Sequence, residues 1–114
     1  MDYYCARLFV ICLVDGVKPR RRYLCDYPFV IFRARNAEHA MERALALGKE
    51  QEHRYKNPKG QWVRWALAEV QHIKRLGKRL DGMEVGSVMD MHRPVQPIPF
   101  RKKFRPEKSR PFWD

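Results

Sequence analysis

Glycine, serine and acidic residues are all scarce in this chain, and each scarcity removes a class of function. The six glycines are nowhere grouped, so a phosphate-cradling loop, a dinucleotide fingerprint and a nucleophile elbow are all missing. Of the two serines, Ser109 lies near the C-terminal end and Ser87 has no partners at triad spacing. The three cysteines, Cys5, Cys12 and Cys25, are odd in number and lack CxxC spacing, which indicates neither a disulfide framework nor a zinc knuckle. All three fall in strand-like segments, where a buried thiol is inert. If the loop 15–22 closes a symmetric hairpin, Cys12 and Cys25 fall opposite each other; in a reducing cytosol they read as small apolar residues.

No apolar stretch approaches the roughly 18 residues that span a bilayer. The longest, Leu8 to Val14, is preceded by Asp2 and Arg7 and followed by Asp15-Gly16-Val17-Lys18-Pro19, where a signal peptide would carry small cleavage-site residues. It reads as a buried strand, and the expected location is cytoplasmic. Acids number 13 against 24 lysines and arginines, a formal charge of +11. That excludes an acidic solvating protein and points to anionic partners. With 45% apolar and 12% aromatic residues in 114, the chain is rich enough to fold as one domain.

Two strands open the chain. Tyr3 to Val14 and Tyr23 to Arg35 are rich in β-branched and aromatic residues, with Pro28 suiting an edge position or a late start. The first is apolar on both parities, Tyr4, Ala6, Leu8, Val10 on one and Phe9, Ile11, Leu13 on the other. Either the chain covers both sheet faces or one face meets a second subunit, and the expectation is a homodimer through the sheet or its edge. Asn36 is a good N-cap, with Glu38 in the first turn to complement the helix dipole. Ala37, Ala40, Met41, Ala44, Leu45, Leu47 or Gly48, and Tyr55 keep helical spacing to about Lys56, before a turn at Asn57-Pro58-Lys59-Gly60. Gly48 implies close packing or a bend.

From Gln61 to Leu80 the periodicity fits two structures. Val63, Trp65, Leu67, Gln71 and Ile73 alternate, while Val63, Leu67, Val70, Ile73 and Leu80 suit a helix. After the Asp81-Gly82 turn, Met83, Val85, Met89 and Met91 alternate as a short final strand. Trp62, Trp65, Phe29 and Phe32 are expected core or interface anchors. From His92 the character changes: five prolines follow, and seven cations stand against two acids, a net +5. The organisation is a domain at 1–91 and an extended or disordered Pro-rich basic tail at 92–114.

A set of residues in the domain resembles a known family. Tyr3-Tyr4, Ala34, Glu38-His39-Ala40, the run Gly48 to Asn57, Gly60, Val63-Arg64-Trp65 and Asp81-Gly82-Met83-Glu84-Val85 are similar to the bacterial family catalogued as domain of unknown function 4288, over roughly Tyr3 to Met91. The resemblance implies a two-stranded hairpin, a helix and two further strands, which favours a strand for Trp62 to Ile73. It implies no catalytic residues. The expected fold is therefore α+β: an antiparallel sheet of about four strands in ββαββ order, one principal helix packed on it, and an extended basic C-terminal tail.

The functional reading rests on the tail. Phe100, Arg101, Lys102, Lys103, Phe104 and Arg105, followed by Lys108, Arg110 and Trp113, interleave cations with aromatics. Such a segment neutralises phosphates and stacks on unpaired bases. These residues are the candidate site of a non-enzymatic binding module whose partner is nucleic acid or an acidic protein. A first alternative is a protein-interaction or immunity-type accessory subunit using an apolar sheet face. A second is a small metal-dependent hydrolase using Glu50, Glu52, His53 and Tyr55, because ExxH spacing puts a carboxylate and an imidazole on one helix face. Di-iron bundles need two such motifs and further glutamates, so no metal or cofactor is expected. Pro94-Val95-Gln96-Pro97 is a PxxP match that reads as a stiff spacer or a polyproline ligand. The helix is excluded as a membrane anchor, since its four acids balance four bases between Asn36 and Lys56.

Overall fold

The computed structural model of the chain describes residues 1–18, 22–87, 89 and 91–110. Its centre is β1, Asp2–Val14, which pairs on both sides. Along one side run β2, Cys25–Asp26, and β3, Phe29–Ala34, both antiparallel to β1. The expected second strand is thus interrupted at Tyr27-Pro28. Proline has no N–H to donate, so it sits on the sheet edge; its carbonyl still accepts from Leu8 N at 2.9 Å.

The helix α1, Ala37–Glu50, follows at once. Asn36 caps it as expected, its Oδ1 accepting from His39 N at 2.8 Å, while His39 Nδ1 accepts from Arg35 N at 3.0 Å. Two of the N–H groups at this turn are thereby satisfied by side chains, as in a capping box. The helix ends six residues before the expected Lys56. The next segment, His53–Lys56, is instead β4, paired with Trp62–Trp65 of β5. Asn57–Gly60 makes the turn between them: Asn57 Oδ1 accepts from Lys59 N and Gln61 N at 3.0 and 2.9 Å, and Gly60 takes φ +77°. Helical spacing through Tyr55 lost to the pairing that this turn makes available, since tertiary contacts override local propensity.

The segment with two readings is β5, Trp62–Gly77, a single strand of 16 residues. It lies antiparallel to β1 from Val14↔Val63 to Tyr3↔Gly77, with three shifts of register. Leu76, Gln71 and Ala68 are the extra residues at these bulges, so β5 uses 15 residues to pair 12 of β1. Each bulge increases the local twist, and the sheet order is β2-β1-β5-β4 with β3 beside β1.

The helix covers one face of this antiparallel sheet. Ala40 and Ala44 are fully buried against Tyr4, Ala6, Leu8, Phe32 and Ala34, with Val30, Leu47, Leu67, Val70 and Ile73 packed around them. A Cβ at Gly48 would stand 2.6 Å from Leu67 Cδ2, so this glycine serves close packing of α1 on β5. The small residues bring the helix down onto the sheet. The expected anchors are therefore only partly right. Phe32 is core, Trp65 is half-buried, and Phe29 and Trp62 are 41% and 43% exposed.

The expected final strand is not formed: the described residues from Met83 to Met91 include no strand. Glu84 to Ser87 instead lie against the sheet face away from the helix, where Lys74 Nζ donates to Glu84 O at 3.3 Å and Gly86 abuts the Phe29 ring. The described residues 91–110 are exposed and hold one short 3₁₀ turn, Pro106–Lys108. No helix among the described residues is long and apolar enough to cross a membrane.

Candidate functional site

The pleat of β1 sends Tyr4, Ala6, Leu8 and Val10 to the helix and the odd-numbered residues to the opposite face. The register then decides what joins them. Across β3, Tyr3 faces Arg33, Cys5 faces Ile31 and Arg7 faces Phe29; across β5, Cys5 faces Lys74, Arg7 faces His72 and Leu13 faces Arg64. Arg54 and Lys56 of β4 oppose Arg64 and Trp62. Six cations, Arg7, Arg33, Arg54, Lys56, Arg64 and Lys74, thus share a face with Tyr3, Phe9, Tyr27, Phe29 and Trp62. Glu69, opposite Phe9, is the one carboxylate the paired register puts among them.

The rings and cations are interleaved. Arg7 Cζ lies 4.8 Å from the Tyr27 ring centroid and 5.9 Å from that of Phe29, and Tyr27 stacks on Phe9 at 5.3 Å. Arg33 Cζ is 5.4 Å from the Tyr3 centroid; Arg54 Cζ and Lys56 Nζ lie 5.1 and 5.3 Å from that of Trp62. Cation–π contacts of this kind are worth about 0.5–1 kcal/mol when exposed. They hold long side chains in place while leaving the charge unneutralised. A hydrogen bond with the Cys25 thiol, its charge and burial push the Tyr27 hydroxyl up, with Arg7 opposing. Tyr27 therefore stays neutral beside Arg7 at physiological pH.

Cys5 forms the floor of this face. It is 2% exposed, and burial pushes its thiol up while the charge of Lys74 pulls the other way, so it is held as an inert thiol. Cys25 faces Ile11 rather than Cys12. The hairpin is one residue off the symmetric register, and a one-residue slip puts side chains on opposite faces, so the Cys12–Cys25 juxtaposition is not formed and all three cysteines are free.

Arg101, Lys102, Lys103, Phe104, Arg105, Lys108 and Arg110 are exposed, as is Phe100; Trp113 lies outside the described residues. The set proposed for metal chemistry is dispersed. Its spacing argument needed a helix, and α1 ends at Glu50. Glu52 Oε2 instead accepts from Leu67 N at 3.1 Å, while His53 stacks between Tyr55 and Trp65 at 5.8 and 6.1 Å. Among the described residues no three His, Cys, Asp or Glu side chains are grouped to hold a metal ion. The cationic sheet face was not anticipated from the sequence. Its signal was the placement of Arg7 and Arg33 on the outward parity of two otherwise apolar strands.

One helix packed on an antiparallel sheet of about five strands defines an α+β module. The family described as Domain of unknown function (DUF4288) matches residues 3–87, and the chain belongs to it. No curated protein matches the chain, and no solved structure does.

Proposed function

We propose that this chain is a binding module for an anionic polymer, single-stranded nucleic acid, which it engages through the open sheet face together with the basic tail. The observation that supports this most is the interleaving of six cations with five aromatic side chains on the face away from the helix. Single strands are bound by cations that follow the backbone and rings that stack on bases. The tail repeats the same composition from Phe100 to Arg110, and an extended polymer is the ligand class that both surfaces serve at once.

The test is fluorescence anisotropy of labelled single- and double-stranded oligonucleotides over a salt series. The full chain is compared with two variants, one carrying Arg33→Gln and Arg64→Gln on the sheet, the other Arg101→Gln, Lys102→Gln, Lys103→Gln and Arg105→Gln in the tail. The expected result is single-strand binding that weakens steeply with salt, by a slope of about 0.7 per phosphate neutralised, and that is shallower in each variant. Binding that survives both variants unchanged, or no binding at moderate salt, refutes the reading.

A second reading is favoured by the same face. Phe29 and Ile31 are exposed on the same sheet face as Phe9 and Ile11, and apolar residues of this kind suit a second copy of the chain. Segment 84–87 covers part of the face around Phe29, so a homodimer would use the remainder. Light scattering at micromolar concentration decides: a dimer that Ile31→Glu separates supports this reading, and a monomer removes it.

A further inference from the structure

The part of the sheet face closed over by segment 84–87 is a cleft of about 490 Å³, whose lining includes Arg7, Phe29, His72, Lys74, Glu84 and Ser87. Its size lies within the range of small-molecule sites, roughly 300–1,000 Å³. Two features set it apart from the rest of the face. Arg7 Nε is buried and has no hydrogen-bond partner, although nearly all buried polar groups have one and each exception calls for an explanation. The guanidinium is also immobilised between the rings of Tyr27 and Phe29, so its fork is held ready at no further cost in side-chain order.

The neighbours of Arg7 are an imidazole and a second cation. His72 is its direct cross-strand partner, and Lys74 is the partner of Cys5, one step along the same face. Lys74 spends one N–H on a long bond of 3.3 Å to Glu84 O, and an ammonium has three. Glu84, the one acid in the lining, is itself exposed and presents its backbone carbonyl to Lys74. Two cations thus line the cleft above the apolar Cys5 floor, with a serine and an imidazole beside them. An oxyanion accepts hydrogen bonds from both cations, and a bidentate contact with the terminal nitrogens of an arginine is the strong form of that recognition.

We propose that this cleft is a phosphate-binding subsite, in which Arg7 and Lys74 hold a phosphate monoester such as the 5′ end of a single strand. The proposal rests on the nucleic-acid reading only for the source of the phosphate. The cleft is walled on one side by residues 84–87, a geometry that suits a chain end better than the middle of a continuous backbone.

The experiment measures anisotropy of a 3′-labelled ten-nucleotide single strand carrying either a 5′-phosphate or a 5′-hydroxyl, with the full-length chain. In parallel, adenosine 5′-monophosphate and inorganic phosphate are titrated by two-dimensional NMR. The expected result is about tenfold tighter binding of the 5′-phosphorylated strand, within what charge-assisted hydrogen bonds supply. The preference, read as the ratio of the two affinities, falls to about one in Arg7→Gln and in Lys74→Gln, whereas Arg33→Gln with Arg64→Gln weakens both strands and keeps the ratio. The Lys74 bond to Glu84 is solvent-exposed while Arg7 Nε is buried, so Lys74→Gln decides alone if Arg7→Gln does not fold. Equal affinity for the two strands, with no shift of the cleft resonances by either small probe, overturns the subsite and leaves the nucleic-acid reading standing. A preference that persists in Lys74→Gln overturns it as well. Shifts at the cleft with adenosine monophosphate, lost in Lys74→Gln, and no binding of either strand, uphold the subsite and end the nucleic-acid reading. Shifts with inorganic phosphate alone assign the site to the free ion.

Discussion

Substituting Gly48 by alanine sets two effects against each other within one helix. Alanine is better than glycine in a helix interior by about 1 kcal/mol. The new methyl group, however, would stand 2.6 Å from Leu67 Cδ2 and 2.9 Å from Cδ1, well inside van der Waals contact. Overpacking of this kind costs about 1–3 kcal/mol, and the Leu67 side chain can yield only by giving up contacts with the core around Leu8. The net expectation is a loss of about 0–2 kcal/mol. Urea unfolding followed by tryptophan fluorescence reads it directly, because Trp62 and Trp65 lie on the same strand as Leu67. The diagnostic is the Leu67→Ala background. There the methyl group has room, so Gly48→Ala should raise stability by about 1 kcal/mol, and the cycle should show coupling of about 0.5–3 kcal/mol. If Gly48→Ala stabilises the chain with Leu67 intact, or the cycle shows no coupling, the close approach of α1 to β5 is wrong.

Among the described residues Leu8 is the largest side chain with no exposure, and Leu8→Ala should cost about 2–5 kcal/mol in urea unfolding; a loss under 1 kcal/mol would place the core elsewhere. The Arg75 side chain hydrogen-bonds Asp2, Nε to Oδ2 at 2.6 Å, and with its charge holds the carboxyl below its ordinary value of 3.8. A depressed carboxyl stabilises the fold above its unfolded-state value and loses that contribution as pH falls through the folded one. The melting temperatures of wild type and Asp2→Asn should therefore differ at pH 7 and converge as pH falls below 3.8 and through the lowered folded value; a constant gap contradicts the pairing. Asn57→Ala removes an acceptor of two turn N–H groups and should cost about 1 kcal/mol, with Asn57→Asp restoring much of it because its oxygen remains; equal losses in the two variants would contradict this account.

The α+β class, the first strand, the helix N-cap and the Asn57–Gly60 turn were all legible in the residues, because each depends on local chemistry. The double periodicity of β5 has a specific cause. The bulges at Ala68 and Gln71 each add one residue, so Leu67, Val70 and Ile73 all reach the helix side at a spacing of three. Two bulges in a strand imitate one face of a helix. Helical spacing runs past the end of α1 at Glu50 for a related reason, since a turn after Lys56 ends a helix and joins a hairpin equally well. Alternation from Met83 to Met91 suggested a strand, yet alternation does not supply an edge to pair with, and Glu84–Ser87 lie on the face instead. Bulky aromatics suggested the core, whereas the core closes on alanines at 34, 40 and 44. The cations of the sheet face were visible as composition. Their gathering on one side depends on the register of three strand pairs, which no single segment encodes.

The position of β1 also has a consequence for how the chain reaches its fold. β1 with β2 and β3 is one local hairpin, and β4 with β5 is another. The seam between them, β1 against β5, joins residues from 49 apart (14 to 63) to 74 apart (3 to 77). Pairings so distant in sequence form late, after the entropy of closing a long loop has been overcome. On the ribosome, the first strand made must wait for the last one before the sheet can close. Until then one edge of β1 has no partner, and this interval is when the nascent chain is most exposed to association with other chains.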